Sequence, residues 1–133
     1  MSSIEITENS SADELEPLVV AVHTLIGIPT TIRSKNKNGI RMERGEIVDR
    51  NYTGPILEKV IKQNKTIRDV PQEGVYKGRP VIVTPLHSSD GTLVGVLGVV
   101  DLVAALDILS LFSSYPGIID EVEDAKNRIE EKS

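Results

Sequence analysis

Apolar residues recur along this chain first at helical spacing, then in short alternating runs, then at helical spacing again. Leu15, Leu18, Val22, Leu25 and Ile26 follow the helical period, and Gly27 stops them. Asp13 with Glu16 three residues on reads as a capping box at the start, with Pro17 tolerated in the first turn. Two β-leaning runs then flank Asn38-Gly39, a strong hairpin signal, and Gly45 within the second run predicts a bulge or bend. "YTGPILEKVIKQNK" predicts a short helix, with Pro55 near its first position and Ile56, Leu57, Val60 and Ile61 on one face.

Strands return in "TIRDVPQE", where Pro71 marks an edge or an end, and in two runs that flank Asp90-Gly91. The second of these, "TLVGVLGVVDL", is apolar on both faces, so it predicts a central strand covered on both sides. Leu93, Leu97 and Val99 share a face with Asp101, and Gly95 and Gly98 leave room on either side for something to approach the backbone. Helical spacing resumes through Leu102–Phe112, and again on the stripe Ile118, Ile119, Val122, Ala125, Ile129. Residues 1–12 read as a flexible arm and 13–133 as one domain. The expected class is α+β: a five-stranded antiparallel sheet with flanking helices.

Composition narrows the chemistry. The 133 residues are 39% hydrophobic and 26% charged, which suits one soluble globular domain. There is no cysteine, so disulfides, thiolate nucleophiles and sulfur-ligated zinc are excluded together. One Phe, three Tyr and no Trp leave no stacking platform for nucleic acid, and a net charge of −5 argues against general nucleic-acid binding. No signal peptide and no membrane span is legible, which predicts a cytoplasmic location. His23 and His87 have no ligand cluster around them, so no metal is expected. No cofactor is called for, and no carboxylate pair or triad supports an enzyme.

The run "GVYKGRPVIVTPLHSSDGTLVGVLGVVDL" resembles the last three strands of a PAS/Cache-type sensory domain, and the element order over 13–113 is similar to that profilin-like fold. The whole chain is also similar to a small family of methanogen archaeal proteins with no assigned activity, in which "SSYPGIIDEVEDAK" would be a family feature. Three residues are the candidate ligand site. Asp101 either caps the next helix or, as the resemblance implies, holds a ligand's amine or hydroxyl. Arg79 offers a planar fork for a carboxylate or phosphate, and Tyr76 a hydroxyl. Arg33, Arg41 and Arg44 with Lys35 and Lys37 read as a solvated basic hairpin. The expectation is a small-ligand-binding or sensory domain acting through a protein partner or its own homodimer, paired through the terminal helix. The alternative is a roadblock-like dimerising adaptor with no small-molecule ligand.

Overall fold

The computed structural model describes residues 3–103. The chain divides into two units, Met1–Val100 and Asp101–Ser133. The first holds α1 (Ala12–Ile26), β1 (Thr30–Ser34), β2 (Gly39–Glu43), β3 (Glu46–Tyr52), α2 (Pro55–Gln63), β4 (Ile67–Asp69), β5 (Val81–His87) and β6 (Leu93–Val100). The strands form one antiparallel sheet in the order β3-β2-β1-β6-β5-β4. It has six strands, where the sequence predicts five. The extra strand arises at Arg44-Gly45. Both residues take positive φ, 54° and 80°, and Glu43 pairs with Glu46 across them. Two consecutive left-handed residues make a tight hairpin whose twist suits the strands, so the expected bend is a full reversal.

The expected turn at Asn38-Gly39 does lie between β1 and β2, but neither residue takes positive φ. Gly39 is needed for a different reason: a Cβ there would sit 1.9 Å from the Ile32 carbonyl oxygen. At the other hairpin, Gly91 takes φ 88° and Asp90 accepts from the Thr92 N–H at 3.0 Å and from the Ser88 hydroxyl. These bonds favour the carboxylate and draw the Asp90 pKa down to about 2.

The two helices cover opposite faces of the sheet. Alternation in β6 sends Val96 and Val100 toward α2 and Leu97 toward α1. That strand lies between β1 and β5, covered on both sides, as its two apolar faces predict. The α1 face joins Leu15 and Val19 to Ile32, Ile40 and Met42, with Ile6 of the N-terminal segment packed against them. The α2 face joins Ile56, Leu57 and Val60 to Val81, Val83, Val96 and Val100, with Tyr52 and Tyr76.

The details of α1 differ from the sequence reading. Ser11 is the N-cap and Glu14 its partner, two residues before the expected box: Ser11 Oγ accepts from Glu14 N–H at 3.3 Å, and Glu14 Oε1 accepts from Ser11 N–H at 3.0 Å. Pro17 therefore lies inside the helix. The buried stripe is Leu15, Val19 and His23, while Leu25 is 85% exposed. His23 fixes that rotation. Its Nδ1 donates to the Ile28 carbonyl at 2.7 Å, and its Nε2 accepts the Gly45 N–H at 2.9 Å. At about 100° per residue, Leu25 then points away from the sheet.

The helical patterns expected over 104–112 and on the terminal stripe, and the dimer expected to pair through it, lie outside the described residues.

Candidate functional site

The α2 face carries what the α1 face lacks: tyrosine rings, buried charge and leftover space. Helix α2 starts on Gly54, which makes no side-chain cap, and Pro55 supplies a helical φ at its first turn. A Cβ on Gly54 would lie 2.7 Å from the Tyr52 hydroxyl, so the missing side chain lets Tyr52 fold against the turn into α2. Between this turn, the sheet and the loop 70–80 lies a narrow crevice. Tyr52, Pro55, Ile56 and Leu57 line it on one side, Thr31, Val81, Val83 and Val100 along the sheet, and Pro71, Glu73 and Tyr76 from the loop. Its free volume is about 20 Å³, room for about one water.

Tyr76 closes it. The loop is pinched where Gly78 N–H donates to the Pro71 carbonyl at 3.0 Å, and the ring turns inward to 5% exposure. It meets Tyr52 edge to face, with ring centroids 6.4 Å apart.

Strand alternation brings arginines to this face as well. Arg33 and Arg41 belong to the odd positions of β1 and β2, which face α2, so neither is the solvated hairpin residue the sequence suggests. Arg33 is 6% exposed. Its guanidinium donates to the Ser34 and Lys35 carbonyls at 2.9 and 3.0 Å, to Thr53 Oγ1 at 2.9 Å and to Glu58 Oε1 at 2.6 Å. That network ties β1 to the start of α2. Arg41 lies over the Tyr52 ring, 5.9 Å from its centroid, and its Nη1 bonds Glu43 Oε2 at 2.6 Å.

Arg41 Nε and the Tyr76 hydroxyl are both buried, neither with a partner at full hydrogen-bond geometry, and they lie close enough to interact with each other. Burial pushes the Tyr76 pKa up, Glu43 adds to the rise, and the neighbouring Arg41 opposes it. Tyr52 is pushed up to about 12, chiefly by burial and then by Tyr76.

Of the three predicted site residues, the structure places Tyr76 in the crevice wall. Arg79 is exposed. Its N–H donates to the Tyr76 carbonyl at 2.9 Å, and its side chain lines an open depression of about 380 Å³ with Glu43, Arg44, Glu46, Val48 and Val75. Asp101 opens the second unit, half-buried, directly after Val100 and before helical Leu102 and Val103. The room left by Gly95 and Gly98 is taken by the fold itself. A Cβ at Gly95 would meet the Arg33 carbonyl at 2.5 Å, and one at Gly98 would meet Thr31 Oγ1 at 2.8 Å and Val83 Cγ2 at 2.9 Å. Sequence reasoning missed Arg41 as a site residue. Its signal was parity with Thr31 and Arg33, legible only once α2 is known to cover that face.

Among the described residues no cluster of three His, Asp or Glu could hold a metal ion, and no helix is long and apolar enough to cross a membrane.

A six-stranded antiparallel α+β domain with an aromatic-walled crevice is the class that fold and site define. The particular family follows from comparison: residues 22–103 match the family described as "Uncharacterized protein conserved in archaea (DUF2111)", and the chain belongs to it. It is 46% identical over 111 residues to "Uncharacterized protein MJ0405" of Methanocaldococcus jannaschii, an alignment covering 81% of this chain and 84% of that protein. No solved structure matches.

Proposed function

We propose that the 1–100 unit is a PAS/Cache-like, profilin-type domain that binds a small ligand in the cytoplasm and signals through a partner or its own dimer. The crevice between α2, the sheet and the loop 70–80 carries this reading. It is apolar, bears a few converging polar groups, and sits where a helix leaves a sheet.

The adaptor alternative works through sheet or helix pairing, and for the first of these both sheet edges are poor ones. β4 is three residues long and Pro71 follows it closely. β3 has two register shifts, and Asp49 Oδ1 takes the Asn51 N–H at 2.8 Å. Short, bulged and side-chain-bonded edges resist strand addition. Partner contact fits the depression better. Val48 and Val75 are 44% and 52% exposed there, beside Arg44 and Arg79.

Native mass spectrometry of the purified full chain tests the reading. An adduct of small mass that is lost on denaturation is the expected result. A spectrum of bare chains alone counts against ligand binding, and bare dimers would favour the adaptor.

A further inference from the structure

Between Glu16 and Arg33 the chain runs for 16 residues without a Lys, Arg, Asp or Glu, its longest uncharged stretch. The first part of that run, 17–26, is the body of α1. A surface helix ordinarily carries charge on the side turned away from its core. Here Leu15, Val19 and His23 are the buried side, and the outer side is Pro17, Val20, Ala21, Thr24 and Leu25. Each of these is exposed, Leu25 to 85%. The Thr24 hydroxyl donates to the Val20 carbonyl at 2.7 Å, so even the polar group on this side is spent within the helix. We propose that the outer side of α1 is a dimer surface, which takes the same helix of a second copy in antiparallel order. It gives the dimer of the reading above its surface and stands independently of the crevice.

The stripe fits a copy of itself. Pro17, Ala21 and Thr24 recur at intervals of four and three, the spacing at which two helices interlock at a shallow angle. Ala21 is small and central, which lets the helix axes approach to about 8 Å, with Val20 and Leu25 closing the flanks. A two-fold axis at Ala21 sets Leu25 of each copy over Pro17 of the other, so both copies bury the same surface.

Charge sets the direction and argues against other covers. The first turn holds Asp13 and Glu14, and Glu16 follows; Arg50 bonds Asp13 and Glu16 and leaves the turn acidic. Antiparallel order keeps the two acidic turns at opposite ends, where parallel order would set them side by side. The same turn is repelled by the phosphates of a lipid surface or a nucleic acid, and the uncharged stripe gives a charged peptide nothing to pair with. The stripe covers less than the roughly 800 Å² per partner of a stable interface, so the dimer is weak and reversible.

The test uses the full chain in sedimentation velocity over a concentration series, where monomer and dimer should exchange in the micromolar range. Ala21→Arg sets two like charges at the axis and should weaken the dimer about tenfold or more, with the melting temperature unchanged because the position is exposed. The chain has no cysteine, so single cysteines report contacts without background. Ala21→Cys should form a disulfide-linked dimer on mild oxidation, since facing residues at that helix spacing come within disulfide reach. Lys62→Cys, exposed on α2 across the sheet, should not. A chain that stays monomeric at high micromolar concentration, a dimer indifferent to Ala21→Arg, or crosslinking no faster at residue 21 than at 62 overturns the proposal. Native mass spectrometry of Ala21→Arg separates this outcome from the ligand reading. An adduct on its monomer leaves ligand binding standing whatever becomes of the dimer, and bare chains with an Ala21-dependent dimer leave the dimer standing without the ligand.

Discussion

The two faces of the sheet are built to different standards. On the α1 face, Leu15, Val19, Ile32 and Ile40 are fully buried aliphatics, and the one buried ring, His23, has both nitrogens bonded. On the α2 face, two tyrosines, a crevice and a poorly aligned Arg41–Tyr76 polar pair share the same sheet. Complete packing and satisfied hydrogen bonds rigidify a core, whereas leftover space and unmet bonds mark where a protein trades stability for something else. On the proposed reading, the α1 face is the scaffold and the α2 face is the site.

Breaking the scaffold should cost most. Ile32→Ala removes a fully buried side chain from the centre of the α1 face and should destabilise the chain by about 2–5 kcal/mol, read from the denaturation midpoint. His23→Leu keeps most of the volume but strands the Gly45 N–H and takes one of two donors from the Ile28 carbonyl, which keeps the Thr30 hydroxyl at 2.8 Å. Calorimetry should show a loss of about 1–3 kcal/mol.

The site face should respond to alkaline pH through Tyr52. Tyr52 has a folded pKa of about 12, above its ordinary 10.0. Its neutral form is favoured by folding, so its contribution is fully present below pH 10 and is lost as pH rises through 12. Alkaline unfolding followed by tyrosinate absorbance should show this loss, and Tyr52→Phe should reduce it, leaving the part due to Tyr76. The smallest effect is at the exposed Asp90 turn. Its pKa of about 2 lies below the ordinary 3.8, so its contribution is present above about 4 and is lost as pH falls through 2. Asp90→Asn should flatten that acid limb slightly.

Much of the scaffold is legible in the sequence because its signals are local. Both faces of 92–102 are apolar, Asp90-Gly91 demands a turn, and Pro55 opens a helix. The errors come where two local patterns compete or where the cause is distant. Ser11/Glu14 and Asp13/Glu16 both fit a capping box, and only the fold chooses between them. The reversal at Arg44-Gly45 asks a non-glycine residue for positive φ, which composition does not announce. The rotation of α1 depends on His23 reaching Gly45, 22 residues away.

The site was half legible. Tyr76 stood out as an aromatic at a strand entry, but Arg41 looked like part of a solvated hairpin because nothing in its neighbours tells which sheet face a later helix will cover. Arg79 and Tyr76 are three residues apart, yet the loop turns one outward and the other in.

The division between scaffold and site is tested most directly by methyl NMR relaxation dispersion on the wild-type chain. The account predicts exchange broadening at the α2-face methyls of Ile56, Leu57, Val81, Val83 and Val100, with Leu15, Val19, Ile32 and Ile40 quiet. Exchange centred on the α1-face methyls, or spread evenly over both faces, would contradict it.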